Sequence, residues 1–356
     1  MFIKALAKGL LAVPAFAAAA LGVRLIARET NRVVPENGIN EGLYIEINGV
    51  KQWINIYGKD LNNPVMLYLH GGPGGATSGM NWVVFHRISD IFTVVDWDQR
   101  NCGKSFDENK TDIPITPELF VSDTVELVKY ILKRFGKEKL TLCGLSWGTM
   151  LGSRVVLDYP QYFNAYIPMG LCPDVDENET LLRDRALEMA KEKGDEEVIK
   201  AAERFTPETY DPQHDKDRNI LIAEIFKEDL QKEADANLLW AMFASPTYSL
   251  SDSLKKMQGK LYPRKQLDDF LLKGGAKYFS VKDRTEYEMP FYLMQGDHDS
   301  DCLYELAIPY YERVKAPDKN LYIVEGGHTS PFVKTAVFEK NIRDIEKRMR
   351  ERGMLK

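Results

Sequence analysis

One stretch constrains this chain more than any other. The apolar run Leu140-Thr141-Leu142-Cys143 leads into Gly144-Leu145-Ser146-Trp147-Gly148, and a helix-like stretch follows from Met150 until Pro160. A serine between two glycines at a strand-to-helix junction describes a very sharp turn. Side chains at the flanking positions would clash with the neighbouring strand and helix, so both are glycine. The five-residue pattern alone recurs by chance; its placement between strand and helix is what gives it weight.

The remaining segments supply a sheet for such a turn. From Gly42 the chain alternates apolar and polar residues around Asn48-Gly49, a two-residue hairpin signal that predicts an antiparallel edge. The segments Asn63 to Gly75 and Asp90 to Ser105 each begin with a solidly apolar run, which suits strands buried on both faces of a parallel sheet. Thr116 to Phe135 has helical periodicity, with Pro117 near its start. Phe163 to Gly170 reads as a further short strand. From Cys172 to about Glu288 the rhythm breaks into helix-prone, charge-rich sequence punctuated by Pro207, Pro212, Pro246 and Pro263. It resumes with a strand from Met289, a helix-like stretch from Cys302, a strand from Asn320 and a terminal helix from about Pro331. The pattern predicts a mostly parallel sheet with flanking helices, residues 31–171 and 289–356, interrupted by an inserted helical cap at 172–288.

Composition excludes several function classes. With 356 residues, 44% hydrophobic and 28% charged, the chain can bury a sizeable core, and its net charge of −6 offers no basic surface for nucleic acid. No zinc spacing occurs, and the four cysteines, Cys102, Cys143, Cys172 and Cys302, form no C-x-x-C pair and read as thiols.

Residues 1–30 differ from the rest. Lys4 and Lys8 precede an uncharged stretch of 15 residues from Gly9 to Val23, and Arg24 and Arg28 follow it. This predicts a signal peptide or membrane anchor outside the fold. The stretch is shorter than the about 20 residues of a full span. Ala17 to Ala20 offer a cleavage site for export, but the arginines just beyond disfavour translocation of that flank, so membrane attachment is preferred over secretion.

A serine hydroxyl becomes a nucleophile only when a base takes its proton, and that base needs a third group to orient it. The strand-turn-helix context orders the three as serine, acid, histidine along the chain. Of His70, His86, His214, His298 and His328, only His328 follows the last predicted strand. For the acid, Asp297, Asp299 and Asp301 come directly after a strand. Asp299 is preferred because a few residues beyond the strand end let the carboxylate turn toward the histidine, with Asp297 in reserve. Their spacing mimics the start of a calcium loop, but Cys302 and Ile308 stand where its glycine and glutamate belong, so no metal is expected. Acyl transfer also requires donors aimed at an oxyanion, and His70-Gly71-Gly72-Pro73-Gly74-Gly75 ends a strand as such a loop should. The backbone N–H groups of Gly72 and Trp147 are the expected donors.

The segments His70 to Gly75, Asp96 to Ser105 and Gly144 to Gly152 together resemble the prolyl aminopeptidase (proline iminopeptidase) family of α/β-hydrolases. The resemblance spans about Gly42 to Gly170 and Met289 to Phe332. It implies an α/β-hydrolase fold and a cofactor-free serine peptidase or related hydrolase, with Ser146, Asp299 and His328 on the family's triad positions. Two departures stand out. Asn101 replaces a usual glycine, and asparagine tolerates a left-handed backbone. The tryptophan-glutamate motif that holds the substrate's α-amine has no counterpart, since Ala241 follows Trp240. The cap is net acidic, and Glu177 and Glu179 are candidates for an amine site. The expected activity is cleavage of a small amide or ester, with aminopeptidase ahead of carboxylesterase or lactonase. A non-catalytic ligand-binding pseudo-hydrolase is the alternative of another class.

Overall fold

The computed structural model describes residues 21–32, 34–207, 212–226 and 237–355. A helix over 21–30, α1, precedes the sheet. The Asn48-Gly49 turn joins β1 (Ile39–Ile47) to β2 (Val50–Gly58), both turn residues having positive φ, as a tight hairpin requires. Then come β3 (Val65–Leu69), α2 (Trp82–Phe85), β4 (Thr93–Asp98), α3 (Pro117–Phe135), β5 (Leu140–Leu145), α4 (Trp147–Asp158) and β6 (Phe163–Met169). Among the described residues six α-helices follow before the sheet resumes: α5 (Val175–Lys193), α6 (Glu196–Arg204), α7 (Pro212–Phe226), α8 (Leu238–Phe243), α9 (Leu250–Met257) and α10 (Arg264–Leu272). The chain closes with β7 (Phe291–Gly296), α11 (Tyr304–Arg313), β8 (Lys319–Val324), α12 (Ser330–Val333) and α13 (Thr335–Glu351).

The eight strands of the described residues form one sheet in the order β1-β2-β4-β3-β5-β6-β7-β8; β2 pairs antiparallel with both β1 and β4, and every other pairing is parallel. Strand β3 shows why its sequence is continuously apolar. Val65, Leu67 and Leu69 feed the core on one face, beneath α3 and α4, while Met66 and Tyr68 feed the core on the other, beneath α2 and α13. The cap helices α5, α6 and α7 share their own apolar cluster, which includes Leu182, Ala186, Ala201 and Leu221.

Two local outcomes differ from the sequence pattern. The terminal helix is broken at Lys334 into α12 and α13. The boundary drawn at residue 30 does not separate the N-terminal segment from the fold. Arg24 is buried and donates to the Tyr248 carbonyl at 2.7 Å, and Arg28 donates to the Pro246 carbonyl at 3.1 Å, so the two arginines dock α1 on the segment between α8 and α9. Residues 1–20 lie outside the described residues.

Candidate active site

The chain runs from β3 to β4 on one side and places β5 on the other, so the strand order reverses between β3 and β5. In open α/β sheets ligands bind in the crevice at such a point, beyond the strand ends. The loop 70–75 and the turn at Ser146 both open there.

Ser146 has φ 56° and ψ −122°, a conformation side-chain-bearing residues rarely adopt. Its flanking glycines are required by contact: a Cβ on Gly144 would lie 2.4 Å from the Gly148 carbonyl oxygen, and one on Gly148 2.2 Å from that of Leu69 on β3. The Gly71 position faces the serine, where an added Cβ would stand 3.2 Å from the Ser146 Cβ. Trp147 is the first residue of α4, so its N–H belongs to the helix N-terminus.

His328, on the loop after β8, places Nδ1 2.9 Å from both carboxylate oxygens of Asp299. Asp299 is fully buried and also accepts from the N–H groups of Asp301 and Cys302 and from the Gln295 amide. These donors hold the carboxylate in one orientation. Asp297 instead accepts from the Gly326 N–H at 2.8 Å and faces His298, away from His328. On the other side of the imidazole, Nε2 lies 3.6 Å from Asp301 Oδ2. Burial pushes the imidazole pKa down, but Asp299, Cys302 and Asp301 outweigh it and hold His328 well above the ordinary 6.5.

Ser146, His328, Asp301 and Gly72 line one cavity of about 390 Å³, walled by apolar residues such as Leu238 at the start of α8 and Phe332 on α12. A larger cavity of about 500 Å³ between the β1–β2 hairpin and the 101–110 loop contains none of Ser146, Asp299 and His328.

A family model described as the alpha/beta hydrolase fold matches residues 64–196. The chain has the α/β-hydrolase fold. It is 27% identical to the probable aminopeptidase YbaC of Bacillus subtilis over 81% of this chain and 90% of that one. It is 34% identical to the proline iminopeptidase of Clostridioides difficile over 36% of this chain and 42% of that one. The crystal structure of the proline iminopeptidase of Mycobacterium smegmatis superimposes with a TM-score of 0.58 at 17% identity, covering 86% of this chain and 98% of that one.

Several residues around the candidate site carried no assigned role in the sequence. Gln99 joins the two loops that bear the candidate oxyanion donors: its amide donates to the His70 carbonyl and accepts from Trp147 Nε1 at 3.0 Å, while its own N–H donates to His70 Nε2. Burial lowers the pKa of His70 to about 4, so the ring is neutral and accepts that bond. Arg100 makes a bidentate pair with buried Asp123 at 2.6 and 2.7 Å, anchoring the same loop to α3. Asn101 has φ 55°, the left-handed backbone expected of it, and its side chain donates to Gln266 on α10 and accepts from the Asp107 N–H. Glu177 and Glu179 do not line the cavity; Glu177 pairs with Lys282, and Glu179 is buried against Arg218.

Proposed function

We propose that this chain is a serine hydrolase whose reaction is the removal of an N-terminal residue from short peptides. In the first step Ser146 Oγ bonds to the scissile carbonyl carbon as its proton passes to His328 Nε2. The oxyanion is met by the N–H groups of Gly72 and Trp147. His328 returns the proton to the departing amine as the C–N bond breaks, and water then cleaves the acyl-enzyme by the same route. Asp299 keeps the Nδ1 proton in place and stabilises the imidazolium. The observation that carries this reading is the orientation of His328: Nδ1 is occupied by Asp299 at 2.9 Å, which leaves Nε2 for the cavity that Ser146 lines.

The named aminopeptidase and iminopeptidase relatives support a peptidase over an esterase or lactonase. The experiment is turnover of prolyl and alanyl anilides alongside p-nitrophenyl esters, with fluorophosphonate labelling of wild type and Ser146→Ala. Labelling should vanish in Ser146→Ala and His328→Ala. Asp299→Asn should slow labelling by about 10⁴-fold, as loss of the orienting carboxylate does in related triads. Activity on esters alone moves the chain to the esterase class, and a chain that neither labels nor turns over is a binding protein.

Membrane attachment through the N-terminal segment belongs to the same proposal. Among the described residues no helix is long and apolar enough to cross a membrane. Support comes from the uncharged stretch Gly9 to Val23 and from exposed apolar residues on adjoining elements, Leu25 and Ile26 of α1, Leu239 and Trp240 of α8 and Leu254 and Met257 of α9.

A further inference from the structure

We propose that Asp301 is the seat of the substrate's α-ammonium group, and that the ammonium, once seated, frees His328 to act as base. The inference rests on the aminopeptidase reading and names the group that reading requires. Asp301 is the sole acid lining the cavity that Ser146 shares, and no lysine or arginine lines it among the described residues. Its Oδ1 is held by Arg218 of α7 at 2.9 Å, and Arg218 is held in turn by Glu179 of α5 at 2.7 Å. Glu179, Arg218 and Asp301 together leave one uncompensated negative charge. The oxygen that carries it, Oδ2, is the one 3.6 Å from His328 Nε2, and about a third of the Asp301 side chain remains open, 34% by relative area.

An α-ammonium is separated from the scissile carbonyl carbon by a single carbon atom. A cation on Asp301 Oδ2 therefore holds that carbon within the cavity that Ser146 and His328 also line. The apolar walls around it, Met80, Val84, Leu145 and Phe332 among them, suit a small apolar N-terminal residue such as proline or alanine.

The second half of the proposal follows from charge. The groups facing His328 are Asp299, Asp301 and Cys302 from the loop after β7, with Arg218 and Glu179 behind Asp301 from the cap. Two carboxylates favour the imidazolium, which cannot accept the Ser146 proton. An ammonium on Asp301 cancels one of them and returns His328 toward its neutral, basic form. Recognition of the amine and activation of the base then become one event, and a substrate lacking the charge forfeits both.

The test compares wild type with Asp301→Asn on prolyl and alanyl anilides, their N-acetyl counterparts and p-nitrophenyl acetate, and follows the pH dependence of fluorophosphonate labelling. Wild type should favour the free amine by about 10⁴-fold in kcat/KM, the scale for a site left with an unpaired buried group. Asp301→Asn should erase most of that preference, the free-amine anilides losing far more than the N-acetyl anilides and the ester, and its labelling midpoint should fall by about one pH unit or more. Loss of anilide and ester turnover to the same extent, or retention of the amine preference, overturns the proposal. Wild type alone gives a second arm should the variant not fold. Ethylammonium chloride, against sodium chloride at equal ionic strength, should compete with the anilides and lower the labelling midpoint; an unmoved midpoint overturns the coupling. Wild type that hydrolyses the ester and neither anilide refutes the aminopeptidase reading itself, an outcome distinct from an amine preference that survives in Asp301→Asn.

Discussion

At position 170 there is room for a hydrogen atom and little else. A Cβ there would lie 2.9 Å from His328 Cε1, 3.0 Å from Nδ1 and 3.2 Å from Asp299 Oδ2, and the residue has φ 59°. Gly170→Ala should therefore displace the imidazole while leaving the sheet intact. The expected result is a loss of about 10²-fold in kcat, the cost of misplacing a reacting group by an ångström, with circular dichroism unchanged. Wild-type rates identical to those of Gly170→Ala would show that the ring has slack. His328 adds a pH dependence to stability. Its value is raised on folding, so its pairing contributes fully below the unfolded 6.5 and is lost as pH rises through the folded value. The difference in urea midpoint between wild type and His328→Gln should shrink as buffers become alkaline.

At the scale of elements, the 99–107 loop fastens the site to its surroundings. Asn101 combines a left-handed backbone with bonds to Gln266 of α10 and to the Asp107 N–H, whereas glycine would keep only the backbone. Asn101→Gly should cost about 1–2 kcal/mol in urea unfolding, the size of one or two buried hydrogen bonds. Asn101→Val should cost more, because it adds about 1–3 kcal/mol of backbone strain. Equal stability of the two variants would contradict this account. What the sequence made legible follows the same division between local and distant causes. The hairpin at Asn48-Gly49, the buried strands, α3 with Pro117 at its start and the turn at Ser146 are written in local periodicity and turn chemistry. The pairing of Asp299 with His328 was legible because their places after β7 and β8 follow from strand order. Gln99, Gly170 and Arg218 act through partners dozens of residues away, 48 residues in the case of Gln99 and Trp147, and no local pattern encodes such a pairing. The docking of α1 was hidden for the same reason, since Arg24 meets a carbonyl 224 residues distant.

For the molecule as a whole, the N-terminal reading makes a prediction that the docked α1 sharpens. Full-length protein expressed in bacteria should sediment with membranes and resist a high-salt wash, because apolar insertion is not screened as surface charge is. A chain starting at Leu21 should be recovered in the soluble fraction with full activity. One starting at Asn31 should also melt several degrees lower, having lost the Arg24 and Arg28 contacts to the segment between α8 and α9. Full-length protein found entirely in the soluble fraction would refute attachment.

The cap is joined to the loop after β7 by more than its two chain crossings. Asn178 of α5 donates to the Asp301 carbonyl at 2.7 Å and accepts from the Leu303 N–H at 3.0 Å, and Leu303 is buried within the cap's own apolar cluster. The loop that presents Asp299 to His328 is thus partly folded by the cap. Modular engineering, in which specificity is altered by grafting a foreign lid onto a retained catalytic body, has no clean seam here. A transplanted lid without an asparagine at this place and a pocket for Leu303 would leave this loop unsupported, and such a chimera would lose the pairing of Asp299 with His328 before its new specificity was ever expressed.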